Sequence, residues 1–454
     1  MSRLDAFDIP LLDTVRVDGV ALAFITFAAV FTGIAFGLAP ALQVPSVSMH
    51  GVLKESSRGT SGGRRVAWIR GALVVSEVAF ACVLLVCAGL LIRSFLQVLD
   101  VNVGFQPERA AALRIDRGPR GSNQAQRNAH YSEVLRRVRA LPGVEGAGLA
   151  DVLPYGHNRS WNVGVKGRVY TRENPPPDVF VRIVSDGYLK AMGIPLIAGR
   201  DFEEGDTNAD NARRVMLINQ TLARILFPGE DPVGKTMIVD PERVIVGVVG
   251  DVRHLALEEG SGAELYLPVR QTNDYTSLDL IVRSALPAAT IASSVRGALT
   301  PIEPTLAVNE LVTLRGLVDK AVSPRRFVVL LLGGFSAFAL MLASLGIYGV
   351  ISYTVDQRRQ EMAIRLALGA SVRELPRRIV AQTLRLAGVG MIIGFSVAWV
   401  AARAIGGLLF EVTAADPVTF AGMVVVLTSV AVVAGYLPAR RVSRIDPAVA
   451  LRAS

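Results

Sequence analysis

The sequence has few cysteines, few histidines and few aromatic residues. Its two cysteines, Cys82 and Cys87, lie in one apolar run, which excludes a disulfide-stapled fold. The four histidines are scattered without the spacing of metal ligands, and no G-x-S-x-G nucleophile motif stands out. Aromatic residues make up 6% of the chain, which disfavours a nucleic-acid-binding face despite the net charge of +9. We therefore predict that the chain is not an enzyme and holds no catalytic, cofactor or metal site of its own.

Charged residues are scarce as well, because Asp, Glu, Lys and Arg together make up 19% of the chain. Hydrophobic residues make up 51% and the mean hydropathy is +0.42, values typical of membrane proteins rather than soluble ones. A helix needs about 20 mostly apolar residues to cross a bilayer, and five runs reach that length. We predict five transmembrane helices, at residues 20–42, 71–92, 327–351, 384–406 and 418–437.

The connecting segments differ in their content of positive charge. Segments 43–70 and 352–383 and the tail 438–454 are rich in arginine, whereas the link between the last two spans offers only Glu411 and Asp416. Cytoplasmic segments carry the excess of lysine and arginine, and the three basic segments alternate as this rule requires. No cleavable signal peptide is predicted, because the first apolar run is long and begins only at Val20. The segments expected outside the membrane are 1–19, 93–326 and 407–417.

The long outer segment alternates β-rich runs with helical patterns. Runs 179–184, 214–219 and 243–250 are rich in valine and isoleucine and predict strands. Stretches 124–141 and 288–299 predict amphipathic helices. The expected fold class is therefore a multi-pass α-helical membrane protein with five transmembrane helices and a large extracytoplasmic α/β (α+β) domain, which can hold its own core.

The stretch GEDPVGKT, residues 229–236, fits the P-loop pattern G-x-x-x-x-G-K-[ST]. A phosphate-binding loop follows a strand and begins a helix, whereas this stretch follows a helical pattern and precedes strand patterns. Glu230 and Asp231 would repel a triphosphate, and Pro232 lacks an N–H donor. The stretch also falls outside the membrane, where ATP is scarce. We interpret it as a turn that joins a helix to a strand, and Asp251 as an acid that simply follows a strand.

Two segments of the chain resemble each other. GLAPALQVPSVSMHGVLK, from Gly37, and GYLPARRVSRIDPAVALR, from Gly435, share five residues at equivalent positions, and each closes an apolar span. Chance is one explanation, because the ends of apolar spans look alike, but the match continues into the polar tail and favours a duplication. On this interpretation the chain begins with the end of one unit and then contains one full unit.

One acidic residue, Glu77, lies inside the second apolar run, about two turns from its cytoplasmic edge. Ionisable residues within a membrane are candidates for a proton or ion pathway. The alternative is an ion pair with Arg70, seven residues earlier and on roughly the same helix face. We favour the ion pair, because Glu77 lies near the cytoplasmic edge.

Several segments resemble the MacB/FtsX-type ABC transporter permeases. RGALVVSEVAFACVLLVCAGLLIRSF, residues 70–95, resembles their opening span, and LASLGIYGVISYTVDQRRQEMAIRLALGAS, residues 342–371, resembles their third-span exit and coupling segment. YLPARRVSRIDPAVALR, residues 436–452, resembles their C-terminal signature, and MGIPLIAGRDF, residues 192–202, resembles the MacB-like periplasmic core domain. The chain looks most similar to the C-terminal half of the duplicated orphan permeases described from Acidobacteria, although most of the first unit is missing.

This resemblance implies a mechanism and partners. A separate ABC ATPase subunit would dock on the cytoplasmic side and bind the ATP, and its closure would move the outer domain, a process called mechanotransmission. The coupling segment would contain Glu361 and Arg365, an i, i+4 pair in the favourable order, together with Leu366 on an apolar stripe and Gly369 at the helix end. Without the resemblance, an ordinary interfacial helix with solvated arginines would explain this segment equally well.

The resemblance also fixes the expected organisation. The expected location is the inner, or cytoplasmic, membrane, and a homodimer or a pairing with a related permease in the lipid bilayer is expected. Two alternatives remain: an FtsX-like regulatory or signalling protein that controls an envelope partner, and a non-functional half-length fragment.

The expected segments are an extracytoplasmic tail (1–19), a helix that ends a preceding repeat (20–42), a basic cytoplasmic loop (43–70), a helix (71–92), a MacB-like periplasmic core domain (93–326), a helix (327–351), a cytoplasmic coupling segment (352–383), helices 384–406 and 418–437, and a cytoplasmic tail (438–454). Residues 327–454 together are expected to form an FtsX-like permease domain.

Overall fold

The computed structural model describes residues 18–41, 61–115, 123–207, 213–239, 241–272, 274–275, 277–302, 311–357 and 374–442. The chain divides into two compact units, which are described separately. We call the unit formed by Met1–Gln97 and Arg325–Ser454 the membrane unit, and the unit formed by Val98–Pro324 the α/β domain.

The helices of the described residues carry the labels α1 to α9 in chain order. They are α1 (Gly19–Ala41), α2 (Ser61–Leu99), α3 (Gln124–Arg139), α4 (Tyr188–Met192), α5 (Gln220–Leu226), α6 (Ala288–Leu299), α7 (Leu314–Gln357), α8 (Glu374–Ala404) and α9 (Pro417–Val442).

Four helical stretches among the described residues are long and apolar enough to cross a membrane. They are Trp68–Leu99, Leu314–Val355, Arg377–Ala404 and Pro417–Pro438. The first predicted span is helical over Gly19–Ala41, but its described apolar stretch is only Leu22–Phe31, so the count of five is not confirmed. The helices extend beyond the predicted apolar runs, because arginine and other charged residues are compatible with helical structure.

Helices α2, α7, α8 and α9 of the membrane unit pack around a core of small and branched apolar side chains. Val78, Ala81, Cys82 and Val86 of α2 are fully or almost fully buried. Ile347 of α7 and residues such as Ala398 of α8 and Ala431 of α9 belong to the same cluster. Small residues at helix contacts let the backbones approach closely, which is the main source of packing energy between helices in lipid.

The strands of the α/β domain form one mixed sheet. Its described strands are β1 (Ala110–Ile115), β2 (Val144–Ala150), β3 (Ser160–Asn162), β4 (Gly164–Val165), β5 (Asp178–Val184), β6 (Leu196–Gly199), β7 (Val215–Asn219), β8 (Thr236–Ile238), β9 (Arg243–Val249), β10 (Glu264–Pro268), β11 (Leu278–Ser284) and β12 (Val312–Thr313). They follow the order β12-β1-β11-β2-β5-β10-β7-β9-β8-β4, while β3 pairs with β5 and β6 pairs with β9. Strand β10 runs parallel to β5, and β7 runs parallel to β9; the remaining described pairs are antiparallel.

The predicted elements of this domain are confirmed. The three β-rich runs form β5, β7 and β9, and the two amphipathic patterns form α3 and α6. Helix α3 begins after Asn123, whose side chain and that of Gln126 form a capping box. Its buried face carries Tyr131, Val134, Leu135 and Val138, and burial of each such side chain stabilises the domain by roughly 1.5–3 kcal/mol.

Candidate functional site

The segment expected to contact an ATPase lies outside the described residues. Helix α7 ends at Gln357 and α8 begins at Glu374. Glu361, Arg365, Leu366 and Gly369 therefore remain predicted site residues without a structural description. The described candidate residues belong to the membrane unit and to the α/β domain.

Glu77 lies on the buried side of α2, where it faces α7. Gly346 of α7 is so close that a side chain there would occupy the space of the Glu77 carboxylate. Only glycine therefore fits at position 346 while Glu77 keeps this orientation. The Oε2 atom of Glu77 is buried and has no hydrogen-bond partner within the described part of the chain. A buried carboxyl oxygen without a hydrogen-bond partner in a helix bundle costs free energy, so Glu77 remains a candidate functional residue.

The expected ion pair between Glu77 and Arg70 is wrong. The guanidinium of Arg70 lies 3.8 Å from the centroid of the Tyr353 ring on α7, a cation–π contact. Seven residues correspond to about 10 Å along a helix axis, whereas side chains meet readily only at i, i+3 or i, i+4. An aromatic ring on a neighbouring helix is therefore the nearer partner for Arg70.

Glycines of α8 set its distance from α2. A Cβ at Gly390 would lie 2.8 Å from Cβ of Val78, and a Cβ at Gly394 would lie 2.6 Å from Cβ of Cys82. The two glycines are four residues apart, so they share one helix face, as in small-xxx-small contacts of membrane helices. Gly388, on the same helix, has no neighbouring atom within 4 Å of an added Cβ. Close approach is thus confined to one face of α8.

A polar cluster joins the end of α2 to the start of α9. Arg93 forms an ion pair with Asp416, and the N–H of Phe410 donates to Oγ of Ser94 at 2.8 Å. Asp416 caps α9, since its Oδ2 accepts from the N–H of Thr419 at 2.9 Å and from the Thr419 hydroxyl at 2.6 Å. We call Arg93, Ser94, Phe410, Asp416 and Thr419 the outer corner. It fixes the entry of α9 against α2.

Sequence reasoning did not assign the outer corner a role. Asp416 followed by Pro417 is a recognisable start of a helix, because aspartate favours the N-cap and proline the first helical position. That signal locates the cap, but only the tertiary structure brings Arg93 to it from more than three hundred residues away.

The stretch that fits the P-loop pattern is a turn between α5 and β8, which agrees with the prediction from the sequence. Gly229 and Gly234 adopt φ values of 75° and 87°, which favour glycine. Lys235 forms an ion pair with Glu230, and its ammonium lies 4.9 Å from the centroid of the Phe227 ring. The lysine is thus engaged within the turn itself.

Asp251 has a structural role next to the same helix. Its Oδ1 accepts from the N–H of Thr221 at 2.8 Å, and its Oδ2 accepts from the Thr221 hydroxyl and from Arg224. These contacts hold the first turn of α5, where a carboxylate is favoured by the helix dipole. Glu230 and Asp251 therefore both have contacts within the local structure.

A buried network of charged and polar groups lies on β5, β10 and the segment before β10. Arg182, Glu264 and His254 are each at most 2% exposed. Arg182 Nη2 lies 3.3 Å from Glu264 Oε1, His254 Nε2 lies 3.6 Å from Glu264 Oε2, and the hydroxyl of Tyr266 donates to Glu264 Oε2 at 2.9 Å. Burial raises the pKa of Glu264 to about 7 and holds the pKa of His254 well below its usual value.

This network was missed because arginine, glutamate and histidine in β-rich runs are normally solvent-facing. The structure also gathers no group of three or more His, Cys, Asp or Glu side chains that could hold a metal ion, among the residues that it describes.

Two protein-family models match the chain. The model described as MacB-like periplasmic core domain matches residues 72–301. The model described as FtsX-like permease C-terminal matches residues 333–447. The first begins in α2 and includes most of the α/β domain, and the second begins within α7 and includes α8 and α9.

Relatives include permeases from several bacteria. The chain is 23% identical over 322 residues to the Bacillus subtilis (strain 168) protein named Uncharacterized ABC transporter permease YknZ; the alignment covers 69% of this chain and 78% of that protein. It is 25% identical over 348 residues to the Macrolide export ATP-binding/permease protein MacB of Azoarcus sp. (strain BH72), covering 73% of this chain and 50% of that protein. The chain thus spans about half the length of this ATP-binding/permease relative.

Two solved structures resemble parts of the chain. The periplasmic region of MacB from Actinobacillus actinomycetemcomitans has 16% sequence identity and a TM-score of 0.31, over 46% of this chain and 91% of that structure. The extracellular domain of the noncanonic ABC-type transporter YknZ from Gram-positive bacteria has 17% identity and a TM-score of 0.27, over 42% of this chain and 92% of that structure.

Proposed function

Because the chain belongs to the MacB/FtsX-type family of ABC transporter permeases, we propose that it is a permease subunit that couples ATP hydrolysis on a separate ATPase to movement of its α/β domain. One observation carries this proposal: a single long apolar helix enters a mixed α/β domain, and three further apolar helices follow it in the same chain. The movement would serve efflux or mechanotransmission.

The proposed topology has five crossings in the inner, or cytoplasmic, membrane. Helix α1 would be the first crossing, and the arginine-rich segments around residues 43–70, 352–383 and 438–454 would face the cytoplasm. The α/β domain would then be extracytoplasmic, within the boundaries 93–326. The acid-containing link between α8 and α9 would lie on the same side as the domain.

The proposed partner is an ABC ATPase on the cytoplasmic side. The relatives named ATP-binding/permease proteins combine both parts in one chain, whereas this chain matches about half of such a protein. The proposed contact consists of Glu361, Arg365, Leu366 and Gly369, and a homodimer or a related permease in the bilayer would supply the second coupling site. The ATP would bind to the ATPase and to no residue of this chain.

The contacts within the membrane unit support transmission of a displacement along this path. The close packing of Gly390 and Gly394 against α2 lets α2 and α8 move together, since interdigitated backbones cannot slide without separating. The outer corner ties α9 to the end of α2. A push at the cytoplasmic ends of these helices would therefore reach the residues that lead into the α/β domain.

The proposal is tested by co-purification from the native host. The tagged full chain, extracted in mild detergent, should recover an ABC ATPase, and the double variant Glu361→Lys with Arg365→Glu should lose it. The matched control is Glu133→Arg with Arg137→Glu, which swaps an i, i+4 ion pair on α3 of the α/β domain and should keep the ATPase. If the folded chain recovers no ATPase, it acts as an FtsX-like regulator of another partner or as an inactive half-length fragment, and the permease proposal fails.

A further inference from the structure

The α/β domain contains a cavity of about 560 Å³ next to β3, the start of β9 and the N-terminus of α3. Cavities of 300–1,000 Å³ are the usual size of small-molecule sites. One part of the lining is apolar and includes Trp161, Val163 and Val239. Another part includes Arg214 and Arg243. The cavity is thus both amphipathic and cationic.

Arg243 is the more deeply buried of the two arginines, at 3% exposure. Its Nη1 donates to Gln271 Oε1 at 3.1 Å and to the Val215 carbonyl at 3.3 Å, and its Nη2 donates to the Gln271 carbonyl at 3.2 Å. All these acceptors are neutral, and Nε has no hydrogen-bond partner within the described part of the chain. A buried charge that meets only neutral acceptors is costly, and an anion nearby would reduce that cost.

Arg214 adds a second positive charge to the same cavity. Burial first, and then repulsion from Arg214, lower the pKa of Arg243 to about 10. Two guanidinium groups that repel each other are stabilised jointly by one anion between them. Because the lowered pKa of Arg243 is still far above neutral, its guanidinium is charged at pH 7.

Among the lining residues that the structure describes, Asp274 is the one carboxylate. Asp274 also lines the cavity, but Arg159 engages it: Nη1 of Arg159 donates to the Asp274 carbonyl at 2.6 Å and lies 3.4 Å from its Oδ2. Gln124, the first residue of α3, also lines the cavity, and the positive end of this helix favours an anion.

We propose that this cavity binds a small organic anion, in which a carboxylate or phosphate is joined to an apolar or aromatic group. The acidic group would lie at Arg214, with the charge of Arg243 behind it, and the apolar group would pack on Trp161. Bidentate contact between a guanidinium and a carboxylate or phosphate is strong and directional. The site belongs to the α/β domain and does not depend on coupling to an ATPase.

The test uses the full chain in phosphatidylcholine nanodiscs and isothermal titration calorimetry. The probes are 2-naphthoate, 2-naphthyl phosphate and the uncharged 2-naphthamide, each corrected by titration into empty nanodiscs. At least one of the two anions should bind saturably at one site per chain, and the amide should bind at least about tenfold more weakly, because it lacks the charge. Preference for the carboxylate or for the phosphate identifies the acidic group that the site takes.

Variants separate the cavity from the general positive charge of the chain. Arg214→Gln should weaken binding of the preferred anion by at least about tenfold. Arg296→Gln removes the same charge from an exposed position on α6 and should leave the affinity within about twofold. Trp161→Leu removes the aromatic side chain on which the naphthyl group would pack. It should therefore weaken binding of the naphthyl anions and reduce the part of the binding heat that depends on Arg214.

Three results would overturn the proposal. Equal affinity for 2-naphthamide would show that the cavity does not select charge. An equal effect of Arg214→Gln and Arg296→Gln would show only non-specific attraction to a basic protein. Absence of saturable binding of both anions would show that the arginines have a purely structural role. Arg243→Met is left as a secondary variant, because loss of its bonds to Gln271 can unfold this end of β9.

Discussion

Arg93 near the end of α2 and Asp416 at the start of α9 form an ion pair. Asp416 is 7% exposed and simultaneously caps α9 through Thr419. One carboxylate therefore serves two purposes, since it holds the first turn of a helix and binds that helix to its neighbour. The two purposes can be separated by substitution, because asparagine keeps the capping oxygen and loses the charge.

Asp416→Ala should destabilise the membrane unit more than Asp416→Asn does. Loss of the cap costs about 1 kcal/mol, and both variants lose the ion pair, which contributes little because the Arg93 side chain is 40% exposed. The thermal unfolding midpoint of the purified chain in detergent measures the difference. Equal midpoints for the two variants would contradict the capping role.

Substitution of glycines on α8 should have opposite effects according to the helix face. Gly388→Ala should stabilise the chain by up to about 1 kcal/mol, because alanine has the higher helix propensity and nothing lies within 4 Å of the added methyl. Gly394→Ala should destabilise it by roughly 1–3 kcal/mol, since the methyl would overlap Cys82.

The two variants form a matched pair, because both replace a glycine of α8 with alanine. Their thermal unfolding midpoints measure the two effects. If both glycines respond with the same sign, the close contact between α8 and α2 does not govern stability. A Gly394→Ala variant that is also less able to recover an ATPase would connect this contact with the proposed coupling.

Local sequence patterns anticipated the elements whose stability is local. The β-rich runs and the amphipathic patterns of α3 and α6 matched the structure because burial of one face follows directly from the order of apolar residues. The turn at Gly229 was also recognised, since two carboxylates and a proline are incompatible with phosphate binding.

Side-chain partners were not predictable in the same way. Arg70 was assigned to Glu77 on its own helix, yet its partner is Tyr353, which is distant in sequence. The meeting of Arg214 and Arg243 likewise depends on the pairing of β7 with β9 and on Gln271 from a third segment. Such contacts come from the order of strands and helices in space, on which one sequence carries little information.

Neither the native chain nor the Lys235→Ala variant should bind ATP. The lysine is engaged by Glu230 and lies over Phe227, so it is not presented to a phosphate. Equilibrium binding of a fluorescent ATP analogue to the full chain, separated from any ATPase, measures this. Binding that depends on Lys235 would restore the P-loop interpretation.

The buried pair Glu264 and His254 should impose opposite pH dependences on the stability of the α/β domain. The pKa of Glu264 is raised to about 7, so between its unfolded value of 4.5 and 7 the folded state holds more protons and the free energy of unfolding falls as pH rises. The pKa of His254 lies well below 6.5, so below pH 6.5 the unfolded state holds more protons and the free energy of unfolding rises with pH.

In the native chain, the contributions of Glu264 and His254 to the slope of the free energy of unfolding against pH therefore partly cancel. Single substitutions should reveal each contribution. Relative to the native chain, Glu264→Gln should shift the slope upward between about pH 4.5 and 7, and His254→Leu should shift it downward below about pH 6.5, each by at most about 1.4 kcal/mol per pH unit. Hydrogen exchange of β10, corrected for the intrinsic effect of pH, reports the opening free energy in the full chain.

His157→Gln, at an exposed histidine, is the control and should leave the slope unchanged. If the proton lies instead on His254, 3.6 Å from an ionised Glu264, both shifts reverse: Glu264→Gln shifts the slope downward and His254→Leu shifts it upward. The signs of the two shifts therefore decide whether Glu264 or His254 holds the proton of this buried pair.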